Sequence, residues 1–194
     1  MDTRLQLLTD WVRQIPGFNS ASPEPVSGDA SFRRYFRVWR ETPGQPRTAF
    51  IVMDAPPAHE DCRPFVAIAE HWHRQGVHVP AIEAQDLHQG LLLLEDFGDR
   101  LMLAELDGDS ADTLYRQALD ELVRIGQMPP PANYPLPAYD DALLDREMAL
   151  FPDWLLEQHL ELTLDNQDRA LLETAFGLLK ESALAQPEVT VHRD

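Results

Sequence analysis

The order in which strand-like and helical segments follow one another constrains the fold of this chain more than any other feature. A first helix is predicted where apolar residues recur at helical spacing from Leu5 to Ile15. Five short apolar runs of strand length then extend to Leu94, with a single helix after the third of them. Beyond Gly98 the apolar residues recur mostly at helical spacing. This order predicts an α+β fold with an antiparallel sheet before a mainly helical half.

Glycine, proline and small polar residues mark the ends of the predicted elements in the first half. Each strand run is short and apolar, and each is followed by residues that favour turns. The helix between strands three and four has Asp61 as its predicted cap, Pro64 in its first turn and Gly76 as its end. The predicted strands lie around Val26, from Phe32 to Trp39, from Ala49 to Met53, from Val79 to Asp86 and from Leu91 to Leu94.

In the second half, one helix is predicted through Leu114 and Ile125 and another through Leu171 and Leu179. Residues 129–137 are too rich in proline for regular structure. Residues 140–161 carry a helical apolar stripe that a proline interrupts, which predicts two short helices. Residues 189–191 are predicted as a short strand.

Composition excludes some classes of function. The 194 residues carry a formal net charge of -17, which argues against binding nucleic acid through its phosphates. No run approaches the roughly 20 apolar residues of a membrane helix, and the N-terminus does not read as a signal peptide, so a cytoplasmic protein is expected. Lys180 is the only lysine, so an anion site must use arginines, backbone N–H groups, helix N-termini or a metal. Cys62, the only cysteine, cannot form an internal disulfide.

Three separated signals point to phosphoryl transfer when they are taken in order. The small residues from Gly28 to Ser31 could form a plain hairpin, but their backbone N–H groups could also approach phosphate oxygens. The apolar run from Leu91 ends in an acidic stretch, and His192-x-Asp194 closes the chain. Such an aspartate is either a solvated strand end or the group that orients the attacking hydroxyl in kinases. Because the signals occur in the order of the kinase signature set, we favour the second interpretation.

Four segments carry a resemblance to a known family. They are Gly28-Asp29-Ala30-Ser31-Phe32-Arg33-Arg34-Tyr35-Phe36, Val52-Met53-Asp54-Ala55-Pro56-Pro57, Leu92-Leu93-Leu94-Glu95-Asp96-Phe97-Gly98 and Val191-His192-Arg193-Asp194. Together they resemble the aminoglycoside/choline phosphotransferase-like kinases, and most closely the N-acetylmuramate/N-acetylglucosamine anomeric kinases of cell-wall recycling. The resemblance covers nearly the whole chain. It implies a protein-kinase-like bilobal fold, with a nucleotide-binding lobe over residues 1–97 and a partial helical lobe over residues 98–194.

The resemblance also implies a role for particular residues, with ATP and Mg²⁺ as cofactors and a small sugar as substrate. The turn formed by Gly28, Asp29, Ala30, Ser31 and Phe32 would cover the nucleotide phosphates, with Arg33 beside it. Glu95, Asp96 and Phe97 would form the hinge that binds the adenine edge through backbone groups. Asp194 would be the catalytic base and His192 would brace the catalytic loop. Glu147 and Asp153 are candidate sugar contacts, although a solvated helix face explains them as well.

The chain departs from the kinase pattern in two ways. The third strand ends in Met53 where kinases place a phosphate-binding lysine, so Glu70 on the next helix has no lysine to meet. Arg33 and Arg34 are candidate substitutes. The metal-binding asparagine and aspartate of kinases would lie beyond Asp194, so the chain as given is expected to be inefficient as a catalyst. We also expect it to expose apolar surface and to be poorly soluble.

Three alternatives remain open at this level. The acidic surface would suit a kinase for a cationic substrate, such as an aminoglycoside or choline. The missing lysine would suit a nucleotide-binding pseudokinase. A metal-dependent hydrolase using His71, His73 and Asp194 is disfavoured, because two histidines two positions apart on a helix point in different directions.

Overall fold

The computed structural model describes residues 2–28 and 31–192, with the backbone alone for residues 27 and 28. In the described part the first helix is followed by strands, one helix and two more strands, and then by helices, as the sequence predicts. The elements are α1 (Thr3–Val12), β1 (Glu24–Gly28), β2 (Arg34–Arg40), β3 (Thr48–Asp54), α2 (Arg63–Arg74), β4 (Ile82–Asp86), β5 (Leu91–Glu95), α3 (Met102–Glu105), α4 (Ala111–Gln127), α5 (Asp141–Leu150), a π-helix (Phe151–His159) and α6 (Asn166–Leu184).

The five strands form one sheet in the order β1-β2-β3-β5-β4, and all neighbours are antiparallel. The central strand β3 pairs with β2 along its whole length and with β5 from Phe50 to Asp54. The predicted α+β fold with a five-stranded antiparallel sheet is therefore confirmed. The fourth strand begins at Ile82, three residues later than its apolar run predicted.

Alternating side chains along the strands divide the sheet into two apolar faces. One face packs against α1 and contains Val38, Val52 and Leu93. The other packs against α2 and contains Met53 and Leu92. Because both faces are covered, β5 reads as a continuous apolar run, with four buried leucines in succession. This burial fixes the register, since a slip of one residue would exchange the two faces.

Gly90 closes the turn before β5 in a conformation that requires glycine. Its φ is +68°, and its carbonyl accepts a hydrogen bond of 2.8 Å from the backbone N–H of Ala55. A Cβ built on Gly90 would lie 1.9 Å from the carbonyl oxygen of Ala55. The backbone of the β4–β5 turn can therefore approach the end of β3 only because this residue has no side chain.

The helical second half agrees with the sequence in its elements but exposes much of its apolar surface. Asp140 caps α5, and Asp165 forms a capping box with Asp168 at the start of α6. Residues 140–161, where a proline interrupts the apolar stripe, form α5 followed directly by the π-helix. The exposed large apolar residues of α4 and α6 include Tyr115, Leu119, Leu122, Val123, Leu171, Leu178 and Leu179. The expected apolar exposure is thus present, and poor solubility stays a prediction.

The described residues group into two compact units. One contains the residues up to Pro135 together with Val191 and His192, and the other is Leu136–Thr190. The predicted lobe boundary at residue 97 stays a prediction. The predicted strand at 189–191 is wrong, because these residues are irregular and pair with no strand of the described part. No helix within that part is long and apolar enough to span a bilayer.

We predict that Gly90→Ala lowers the free energy of unfolding by about 3 kcal/mol or more, because it adds a backbone clash to the cost of a left-handed φ. Gly44→Ala is the matched control, since Gly44 has φ +77° with no atom within 4 Å of a built Cβ. That change should cost about 1 kcal/mol. Urea denaturation measures both, and equal losses would contradict the proposed clash.

Candidate functional site

The turn predicted to cover phosphates lies between β1 and β2. Gly28 pairs with Arg34 across these strands, which closes the base of the turn. Asp29 and Ala30 lie outside the described residues. The hydroxyl of Ser31 accepts a hydrogen bond of 3.1 Å from the backbone N–H of Arg33. The two strands predicted on either side of this segment are therefore present, and they pair with each other through Gly28 and Arg34.

The segment after β3 holds the second half of this turn at two points. The ring of Phe32 is exposed and stacks on that of His59, with centroids 4.3 Å apart and planes at 18°. Arg33 Nε donates to Glu60 Oε2 at 3.2 Å. Burial is the largest single influence and lowers the pKa of Arg33, but the charges and hydrogen bonds of Glu60 and Tyr35 together outweigh it, so the pKa is raised. Arg33 therefore faces a carboxylate partner instead of standing alone beside the turn.

Met53 occupies the position where kinases place their lysine. Its side chain is fully buried among apolar residues between the sheet and α2, in contact with the cluster that includes Val66 and Leu92. Glu70 is exposed and lies 3.7 Å from Arg74, one turn further along α2. Where kinases have a lysine–glutamate pair, this chain thus has the buried side chain of Met53 and a separate, solvated ion pair between Glu70 and Arg74.

Asp54 is the one fully buried carboxylate of the described part, and it lies between two arginines. Arg34 donates to Asp54 Oδ2 from Nε at 3.0 Å and from Nη2 at 2.6 Å. Arg4 of α1 donates to Asp54 Oδ1 from Nε at 3.1 Å and also from Nη2. Its Nη2 reaches the carbonyl of Gln89 at 2.8 Å as well. The carboxylate therefore ties α1, β2, β3 and the β4–β5 turn together.

Asp2 completes this cluster of two arginines and two carboxylates. It accepts a hydrogen bond from Arg34, and this bond lowers the pKa of Asp2 and raises the pKa of Arg34. Arg34 lies on the same face of the sheet as α1, whereas Met53 lies on the face covered by α2. The structure thus places Arg34 away from Met53, which removes the support for Arg34 as a substitute for the missing lysine.

The predicted hinge follows β5 directly. Glu95 ends the strand, and its carboxylate accepts a hydrogen bond of 3.2 Å from the backbone N–H of Ala81. Phe97 is 54% exposed, and its ring lies 4.8 Å from that of His78. Asp96 is nearly buried and receives Arg37 of β2, with Nε donating to Oδ2 at 2.6 Å. Among these residues, Arg37 is the one the sequence reasoning missed.

The predicted catalytic segment is described only up to His192. Its ring stacks on that of Trp72 in α2, with centroids 6.1 Å apart and planes at 22°. Asp194 lies outside the described residues. The helix that covers Met53 thus also contacts the residue two positions before the predicted base.

Glu147 and Asp153, the candidate sugar contacts, belong to the unit Leu136–Thr190. Both side chains are exposed, with Glu147 in α5 and Asp153 in the first turn of the π-helix. The lone lysine, Lys180 of α6, lies 2.9 Å from Asp141 and 2.7 Å from Asp145. These carboxylates raise the pKa of Lys180, Asp145 more than Asp141, so the lysine is engaged within its own helical unit.

No cluster of metal-binding side chains marks the site in the described part. Residues 2–28 and 31–192 contain no group of three His, Cys, Asp or Glu that could hold a metal. His71 instead contacts the carbonyl oxygen of Pro129 through Nε2 at 2.8 Å. A groove of about 450 Å³ runs along α1, and its lining includes Trp11 and Gln89 but none of the predicted site residues.

The fit of the implied cofactors follows from these positions. The glycine segment lies between β1 and β2, and the predicted hinge follows β5 of the same sheet. The described residues contain no group of three His, Cys, Asp or Glu side chains that could hold Mg²⁺, an ion that is usually bound by one or two carboxylates together with the phosphates of the substrate.

Comparison with known proteins decides the family. Residues 22–194 match the phosphotransferase enzyme family. The chain belongs to this family. It is 44% identical over 206 aligned residues to the N-acetylmuramate/N-acetylglucosamine kinase of Pseudomonas putida and 45% identical over 203 to that of Pseudomonas aeruginosa. A kinase of the same name from Neisseria meningitidis is 28% identical over 191 residues.

These matches cover the whole chain for the two Pseudomonas proteins and 96% of it for the Neisseria protein. In the other direction, the chain spans 58% of each Pseudomonas relative and 55% of the Neisseria one.

Several residues of the site could not be assigned from the sequence. Asp54 and Arg34 both belong to segments that resemble the kinase family, but nothing in the sequence pattern indicates that their side chains pair. Arg4, Glu60 and Arg37 lie far from their partners along the chain. The available signal was the presence of arginines within the alternating strand predicted from Phe32 to Trp39. Where a strand is covered on both faces, its charged side chains need partners of opposite charge, such as carboxylates.

We predict that Asp54→Asn lowers the free energy of unfolding by about 3 kcal/mol, because it leaves two arginines without their shared buried carboxylate. Asp61→Asn is the control, since Asp61 pairs with Arg63 on the exposed surface and its loss should not be measurable. Urea unfolding followed by circular dichroism measures both. Equal, small effects would show that Asp54 does not organise the sheet.

Proposed function

We propose that this chain supplies the nucleotide-binding part and the catalytic aspartate of an ATP-dependent amino-sugar kinase. The observation that carries the proposal is the identity of 44–45%, over the whole chain, to two N-acetylmuramate/N-acetylglucosamine kinases. The sheet order, the closed glycine turn and the hinge after β5 support it. The sugar class is taken from the names of those relatives.

The proposed nucleotide site uses the predicted lobe of residues 1–97. The turn Gly28, Asp29, Ala30, Ser31 and Phe32 would bind phosphate oxygens through backbone N–H groups. Glu95, Asp96 and Phe97 would bind the adenine edge. Met53, at the position of the kinase lysine, would support the site from the buried apolar layer between the sheet and α2 and would not neutralise phosphate charge. Arg33, paired with Glu60, would position the turn.

The proposed reaction takes place at Asp194, the last residue of the partial helical lobe over residues 98–194. Asp194 accepts the proton of the sugar hydroxyl as its oxygen bonds to the γ-phosphorus. The bond from that phosphorus to the β,γ-bridging oxygen breaks, and ADP leaves. His192, against Trp72, holds the segment that carries the base. Bound Mg²⁺ would offset the phosphate charge, with ligands that include residues outside the described part.

The acceptor is proposed to be the anomeric hydroxyl, giving a sugar 1-phosphate for cell-wall recycling in the cytoplasm, where ATP is available. Glu147 and Asp153 would contact the sugar from the helical unit. Both side chains are exposed, and carboxylates can accept hydrogen bonds from sugar hydroxyls.

A nucleotide-binding pseudokinase is the second candidate. The buried Met53 and the pairing of Arg33 and Arg34 with carboxylates favour it, because no lysine meets the phosphates. A kinase for a cationic substrate is a third, favoured by the net charge of -17.

The deciding experiment is phosphorus NMR on the longest natural form of the protein that carries this chain, incubated with Mg-ATP. Separate samples contain N-acetylmuramate, N-acetylglucosamine, an aminoglycoside or choline. We predict a new sugar-phosphate signal coupled to the anomeric proton in the amino-sugar samples. Asp194→Asn should reduce its rate by at least about a hundredfold.

Other outcomes separate the candidates. Transfer only to the aminoglycoside or choline would replace the sugar proposal. ATP binding without transfer to any acceptor would favour the pseudokinase. Transfer that survives in Asp194→Asn would contradict the proposed base.

A further inference from the structure

Arg37 binds two carboxylates of the segment that follows β5. Its Nε and Nη2 donate to Asp96 at 2.6 and 3.3 Å. Its Nη1 and Nη2 donate to Asp99 at 3.0 and 2.8 Å. One guanidinium thus makes four hydrogen bonds to two residues that lie three positions apart.

The register of the sheet places Arg37 on the face that α2 covers. It lies opposite Ile51 of β3, which lies opposite Leu94 of β5. Ile51 and Leu94 both belong to the apolar cluster of that face. The side chain of Arg37 therefore lies on the same face of the sheet as Met53. It reaches across β3 to the segment that follows β5.

The hinge segment folds around this guanidinium. Asp96 is 5% exposed and also accepts the backbone N–H of Gly98 at 2.8 Å, and Gly98 has φ +79°. Asp99 is 74% exposed. One carboxylate is thus enclosed and closes a tight turn, while the other reaches the same arginine from solvent.

Electrostatics agree with this geometry. The hydrogen bonds that Arg37 donates to Asp99 and Asp96 raise the pKa of Arg37, and the same bonds to Asp99 lower the pKa of Asp99. The planar guanidinium of Arg37 binds both carboxylates at once. It restricts the backbone between Asp96 and Asp99 more than the ammonium group of a lysine would.

We infer that Arg37 is a positioning residue for nucleotide-base recognition, holding the backbone of residues 95–99 in the form that binds the base edge. The inference rests on the proposed function, because it takes this segment to be the hinge. A base edge read by backbone groups needs those groups fixed in advance, and an ordered hinge binds with less loss of conformational entropy. Contacts to the phosphates lie at the other end of the site and should not depend on Arg37.

The chain offers a matched control on the same strand. Arg40 pairs with Glu83 at 2.7 Å, and its guanidinium lies over the ring of Phe50 on the α1 face. Arg40 and Arg37 are both strand arginines with a carboxylate partner, but only Arg37 contacts the hinge. A general loss of stability would affect both variants.

The test is calorimetric binding of ATP, GTP and inorganic tripolyphosphate to the unsubstituted chain, Arg37→Ala, Arg37→Lys and Arg40→Ala. Circular dichroism checks that each variant is folded. We expect Arg37→Ala to weaken ATP binding by about tenfold and to reduce the preference for ATP over GTP, with tripolyphosphate changed less than about twofold. Arg37→Lys should recover only part of the loss, because an ammonium lacks the fork.

Asp99→Asn provides a second route if Arg37→Ala does not fold, because Asp99 is exposed and its loss leaves the pair with Asp96. It should weaken ATP binding by roughly threefold with the same selectivity pattern. Equal weakening of ATP and tripolyphosphate, unchanged ATP binding in Arg37→Ala, or the same base-selective loss in Arg40→Ala would overturn the inference. An unsubstituted chain that binds neither ATP nor GTP would overturn the proposed nucleotide site itself, and the inference with it.

Discussion

The buried carboxylate of Asp54 is the interaction on which the sheet and its surroundings depend. A charge with no exposure to water must be met by opposite charge and hydrogen bonds, and Arg4 and Arg34 supply both. Because Arg4 comes from α1 and also binds the turn before Gly90, the cluster fixes the helix, two strands and a turn at one corner. It also engages Arg34, which pairs with Gly28 at the base of the glycine turn.

The α2 face of the same sheet is organised differently. On the α1 face, β3 ends in the charged residue Asp54. On the α2 face, the last side chain of β3 is that of Met53, which is apolar and buried. Arg37 also lies on this face, and its guanidinium binds Asp96 and Asp99 of the predicted hinge segment. Under the proposed function, backbone N–H groups of the turn would make most of the contacts to the phosphates. Arg33 would remain paired with Glu60. This division assigns base recognition to one end of the site and phosphate recognition to the other.

The sequence predicted the strands, the helix after β3 and the glycine turn because their signals are local. Periodicity, Gly90 and Pro64 act within a few residues, so α2 begins close to its predicted cap and β5 lies where the leucine run predicted it. The strand expected at 189–191 failed because a strand needs a partner, which a local pattern cannot supply. The pairings of Arg4, Arg37 and Glu60 were hidden for the same reason, since each joins segments 27 or more positions apart.

The central claim is that a nucleotide binds between the glycine turn and the end of β5. Hydrogen exchange of the chain with and without Mg-ATP, read by mass spectrometry, tests it most directly. We expect ATP to slow exchange in peptides covering residues 24–34 and 91–99, while α1 is unchanged. Slower exchange confined to α1 and Gln89, which line the groove of about 450 Å³, would contradict it.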